Sequence, residues 1–192
     1  MTIKIAYQTL ENRGNPREVQ KNGPFLCRRK NAWLGSGYYF WDSIIDNAHW
    51  WGIEGAKYDN GYFICEAKYD LDETLCFNLI DNAQHFEDFN RTKKLMEEKG
   101  LYIEGQTTVA RIIEYLKNTL HIFKYEAIRV YGVNSKSAWS SYSDRTIFDS
   151  KHNIKYLDSS PAIQICFYTK SSLNLRDYAV IYPSEYTDGY MV

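Results

Sequence analysis

The stretch WLGSGYYFWDSIIDNAHWWG, residues 33–52, constrains the fold more than any other, because it changes from strand periodicity to helix periodicity within a few residues. In GYYFW, alternation puts Gly37, Tyr39 and Trp41 on one face and Tyr38 and Phe40 on the other. In the segment that follows, Ile44, Ile45, Ala48 and Trp51 recur at helical spacing, with Asp42 expected as the N-cap and Gly52 as the stop. A strand feeding straight into a helix requires packed layers around a shared core. Glycines ahead of an aromatic strand have two physical uses, a turn that other residues resist and a bare backbone that a ligand can approach. If one face of the strand is core, the other offers a ring beside open main chain, a stacking platform for a nicotinamide or a nucleobase. Aromatics that simply fill the core are the alternative.

The remaining chain alternates between the same two periods. Residues 3–9, IKIAYQT, read as a strand with Ile3, Ile5 and Tyr7 on its apolar side and Gln8 pointing away from it. Residues 11–31 read as a polar loop around a short helix. GYFICEAKY and ETLCFNLI read as strands, residues 82–99 and 107–120 as helices, and YEAIRVYGV and PAIQICFYT as late strands separated by a long polar insertion. The helix at 107–120 is the clearest, with Val109, Ile112, Ile113, Leu116 and Leu120 on one stripe behind a threonine cap. No repeat or low-complexity linker divides residues 1–192, so a single α+β domain is expected.

Charge excludes some functions. A net charge of -1 gives no global field toward nucleic acid or an anionic membrane. No run reaches the length of a membrane span and the start does not read as a cleaved signal, so a cytoplasmic protein is expected, or one secreted without a cleaved signal. Cys27, Cys65, Cys76 and Cys166 form no CxxC pair and read as buried thiols. His49, His85, His121 and His152 have no metal-ligand spacing, so no metal is expected.

LGSGYYFWDSIIDNAHWWG resembles the segment of ADP-ribosyltransferase-fold proteins, a superfamily that includes diphtheria-toxin-like and PARP-like members. That segment is written Gly-x-Gly-aromatic-Tyr-aromatic, then a polar turn and a helix with Ala-x-x-Trp, matched here by Ala48 and Trp51. The resemblance implies two small sheets around a cleft with flanking helices, NAD as cofactor, and transfer of ADP-ribose to a macromolecule or hydrolysis of NAD. A bacterial toxin or effector, with a protein or nucleic-acid acceptor and a neutralising partner, would be the natural setting. On this resemblance Tyr39 stacks on the nicotinamide and Gly35 and Gly37 let the chain approach it. Tyr7, Gln8 and Thr9 match the first-strand motif, where the family usually has histidine or arginine at the place of Gln8. Gln164 matches the late-strand position that is commonly glutamate, and alternation isolates it from Ile163, Ile165 and Phe167.

That last departure bears on chemistry. Breaking the bond from nicotinamide to ribose builds positive charge on the ribose, which a carboxylate stabilises and a glutamine amide does not. Either the substrate supplies the missing carboxylate, or Glu66, Asp158 or Glu185 enters the cleft, or the chain binds without turnover. Arg145 has the geometry to grip a pyrophosphate and equally to pair with Asp144 or Asp149. The basic run at 28–30 suits cofactor phosphates, an acidic target or a solvated face. A silent module that recognises NAD, ADP-ribose or a nucleotide, and an interaction protein whose loops make the contacts, are the rival readings.

Overall fold

The computed structural model describes residues 2–29, 31–149 and 155–187. The chain forms a mixed α+β fold with a seven-stranded sheet, a two-stranded sheet and flanking helices. β1 (Thr2–Glu11) is followed by α1 (Pro16–Asn22), β2 (Tyr38–Asp42) and α2 (Ile45–Trp50). Then come β3 (Tyr62–Leu71), β4 (Cys76–Leu79), α3 (Ala83–Glu98), α4 (Val109–Asn118) and β5 (Ala127–Tyr131). The hairpin β6 (Arg145–Ile147) and β7 (Tyr156–Asp158) precedes β8 (Ile163–Phe167) and β9 (Arg176–Tyr182). The large sheet runs β4-β5-β8-β2-β1-β3-β9, so β2 and β8, distant in sequence, are neighbours at its centre. The expected pair of small sheets enclosing a cleft is replaced by one large sheet and a separate ribbon, β6-β7.

Both faces of the sheet are buried. One carries Ala6, Phe40, Ala67, Tyr69, Ile165 and Phe167. The other packs Phe77, Ile128 and Cys166 against Ile113 and Leu116 of α4. This corrects the one-sided reading of β1: Ile3 and Ile5 are exposed, whereas Ala6 and Gln8 are buried. α3 and α4 begin as their sequences require, with Asn82 accepting from the His85 N–H at 3.1 Å and Thr108 from the Arg111 N–H at 3.3 Å.

The junction after β2 departs from expectation at both ends. Asp42 does not cap α2; Ile44 occupies that position without a side-chain hydrogen bond. Asp42 lies in the interior, where it accepts from Arg129 Nε at 2.7 Å and from the Tyr69 hydroxyl at 2.7 Å. Gly52 does not stop the helix, which continues as a π-helical turn over Trp51–Gly55. A Cβ on Gly52 would lie 2.5 Å from the Tyr62 ring, so glycine there admits the ring.

Three of the four cysteines are buried and all are free. Burial raises the Cys65 thiol to about 11 and those of Cys76 and Cys166 to about 12, as expected of core thiols. Among the described residues no helix is long and apolar enough to cross a membrane, and no cluster of His, Cys, Asp and Glu could hold a metal ion.

Candidate functional site

β1 and β2 pair only at Ala6 with Asp42 and Tyr7 with Trp41. Beyond that point β1 stays with β3 as far as Glu11 paired with Tyr62, while β2 stays with β8 as far as Tyr38 paired with Phe167. A cavity of about 300 Å³ opens where the strands part, lined by Gln8 and Thr9 of β1, Tyr39 and Trp41 of β2, Gln164 of β8 and the loop around Arg28 and Trp33. The fold therefore brings Gln8, Tyr39 and Gln164 to one cavity.

Their states differ. Gln8 Nε2 donates to the Phe25 carbonyl at 2.9 Å and the Tyr39 carbonyl at 3.4 Å, while Oε1 accepts from the Phe25 N–H and the Tyr178 hydroxyl, both at 2.9 Å. Two donors and two lone pairs are the whole capacity of a carboxamide. Gln8 thus stitches the parted strands together and has nothing left for a ligand's amide. Tyr39 donates its hydroxyl to the Gly35 carbonyl and accepts from the Leu34 N–H, both at 2.7 Å, and burial raises its phenol well above the ordinary value. Its hydroxyl is committed to the turn.

Gln164 is the exception. It is 8% exposed, lies beside Trp41 across one strand pair and Val130 across the other, and its Oε1 is buried without a hydrogen-bond partner. An orphaned buried acceptor is destabilising unless a ligand or water satisfies it.

The aromatic lining of the cavity extends beyond the one tyrosine singled out by the sequence. The Trp33 and Trp41 rings meet edge to face at 6.3 Å, and Trp41 and Trp51 lie 5.9 Å apart at 51°. The Arg29 guanidinium sits 5.2 Å over Trp51. Alternation places Trp41 beside Tyr39, and helical spacing selects Trp51, so both carry a sequence signal; Trp33 lies on a loop and carries none. Arg28 and Arg29 are the charged residues of the lining, and among the described residues it contains no aspartate or glutamate. Lys30 and His152 lie outside the described residues.

Other candidates have different work. Tyr7 packs with Trp41, Ala48 and Trp50 and does not line the cavity. The Thr9 hydroxyl donates to the Ala48 carbonyl at 2.9 Å, holding α2 against β1. Arg145 donates to the Lys136 carbonyl at 2.9 Å and covers the Tyr156 ring at 4.6 Å, away from the cavity lining. Glu66, Asp158 and Glu185 do not line the cavity; Asp158 accepts from the Tyr131 hydroxyl at 2.9 Å.

The two glycines do different work: Gly35 makes a turn and Gly37 admits β8. Gly35 has φ +84 and supplies the turn closed by Tyr39. A Cβ on Gly37 would lie 2.3 Å from Cys166 Sγ and 2.9 Å from the Phe167 carbonyl oxygen, and neither glycine lines the cavity. Gly37→Ala is therefore expected to destabilise the fold by about 1–3 kcal/mol through overpacking, measured by urea denaturation, whereas an unchanged midpoint would show that β8 shifts freely.

Comparison of the chain with protein-family models, with curated proteins and with solved structures finds no match in any of the three.

Proposed function

We propose that the cavity between the parted strands binds NAD in the manner of an ADP-ribosyltransferase-like fold, with the nicotinamide end beside Trp41 and Gln164. The observation that carries this reading is the buried, unpartnered Oε1 of Gln164 on an aromatic cavity flanked by Arg28 and Arg29. A planar, hydrogen-bonding head group joined to phosphates needs ring faces, a placed acceptor and guanidinium groups. Gln164 Oε1 can accept from the carboxamide or from a ribose hydroxyl and fix the ligand's rotation.

The chemistry such a site would support is transfer of ADP-ribose to a macromolecule or hydrolysis of NAD. The lining, with arginines and without a carboxylate among the described residues, favours a second reading in which the chain holds NAD without cleaving it. Positive charge developing on the ribose would meet no carboxylate among the described residues of the cavity lining.

Thermal shift against NAD, ADP-ribose and nicotinamide tests binding, and release of nicotinamide separates the two readings. NAD should raise the unfolding temperature by linkage. Gln164→Leu, which removes the acceptor at nearly constant volume, should weaken NAD by about tenfold, the size of one lost hydrogen bond. No shift with any of the three ligands would refute the NAD reading. Nicotinamide release by wild type, lost in Gln164→Leu, would establish turnover over silent binding.

A further inference from the structure

A cavity of about 300 Å³ lies at the bottom of the range for small-molecule sites. It has room for a nicotinamide and its ribose, and a dinucleotide has a second base, a second ribose and a diphosphate still to place. A larger cavity, about 550 Å³, lies beyond the segment 31–33, which lines both. Resting on the NAD reading above, we propose that this second cavity receives the adenosine half, so that the dinucleotide crosses the 31–33 segment with one base in each cavity.

Three observations support that placement. Trp33, Phe86 and Phe89 give the second cavity ring faces for a purine, and Asn31 and Asn90 give it amides for the purine's polar edge. Phe86 and Val109 on its wall are 41% and 40% exposed, so large apolar groups stand open to solvent where a base would cover them. Val109 and Ala110 also line it, and they are the first two residues of α4, ahead of the Arg111 and Ile112 N–H groups that Thr108 takes. A diphosphate crossing at 31–33 therefore has Arg28 and Arg29 on one side and the positive end of a ten-residue helix on the other. The second cavity is set apart from an apolar docking groove by this polar end and by its shared wall with the first.

The proposal predicts that the two halves of the ligand respond to different substitutions. Titration calorimetry with NAD, AMP and nicotinamide mononucleotide would use wild type, Val109→Trp and Gln164→Leu. Val109 is well exposed at the first helical position, so tryptophan there fills the cavity without entering the core, and an unchanged unfolding midpoint confirms folding. Val109→Trp should weaken NAD by about thirtyfold and remove AMP binding, while nicotinamide mononucleotide stays within about twofold. Gln164→Leu should do the reverse, weakening NAD and the mononucleotide and sparing AMP. Wild-type NAD affinity in Val109→Trp, or AMP binding that survives it, would overturn the placement while leaving the first cavity's reading intact. A wild-type protein that binds neither NAD nor nicotinamide mononucleotide would overturn the underlying reading itself.

Discussion

Arg129→Met is expected to lower the unfolding free energy by about 3–5 kcal/mol, the usual loss when one partner of a buried ion pair is removed. Arg129 and Asp42 are both buried, and their contact is direct at 2.7 Å. Arg129 Nη1 also donates to Asn78 Oδ1 at 3.4 Å. Without the guanidinium, the Asp42 carboxylate would keep, among the described residues, the Tyr69 hydroxyl at 2.7 Å and the Ser43 hydroxyl at 3.0 Å, too little to offset a charge held out of water. The double variant Asp42→Asn, Arg129→Met should therefore be more stable than Arg129→Met alone, because the uncompensated charge is gone. Urea denaturation of the three proteins measures this. Equal midpoints for wild type and Arg129→Met would show that water reaches the carboxylate. The pair also acts on the site: Asp42 follows Trp41 on β2, and Arg129 reaches it from β5 across β8, tying together the strands that carry Trp41 and Gln164.

Periodicity reveals elements whose side chains answer to one local rule. α4 was legible because Ile113 and Leu116 face the sheet and Ile112 packs beside them on Met96 of α3, and β8 because Gln164 stands out from Ile163, Ile165 and Phe167. β9 was not legible. Its pairing with β3 shifts register twice, and it contains Asp177 at φ 56, so clean alternation is lost along an edge strand. The role of Asp42 was hidden for a different reason. An aspartate before a helical pattern looks like a cap, and only the topology that brings Arg129 beside it makes it a core residue.

The site was legible in the same partial way. Gln164 stood out as a lone polar residue on an apolar strand, and it is the one of the three converging residues whose acceptor remains open. Gln8 stood out equally, but its partners Phe25 and Tyr178 come from a loop and from β9, which no local pattern connects to β1. The paired glycines suggested a ligand, since a close approach by β8 and one by a ligand make the same demand on Gly37.

Lys136→Met should reduce stability by about 2–4 kcal/mol, because it strips the donor from several buried acceptors at once. Lys136 is 3% exposed, and its ammonium donates to Asn47 Oδ1 at 2.9 Å, the Tyr142 carbonyl at 3.0 Å, Ser160 Oγ at 3.0 Å and the Ser160 carbonyl. Asn47 in turn donates to the Pro161 carbonyl at 2.9 Å. This clasp fixes the long insertion and α2 onto the chain that enters β8, so NAD affinity should fall as well, although Lys136 does not line the first cavity. Burial lowers the lysine's pKa in the folded protein, so the unfolded chain holds the proton more tightly. Over the interval below the ordinary lysine value of about 10.4, the unfolded state carries more protons, and this group makes stability rise with pH. Lys136→Met should lose that contribution. Comparing the two proteins' unfolding free energies across that interval isolates it, since the other titrating groups are common to both. A variant that keeps the wild-type midpoint, pH slope and NAD affinity would mean that the insertion is held by its other contacts and that the approach to Gln164 does not depend on the ammonium.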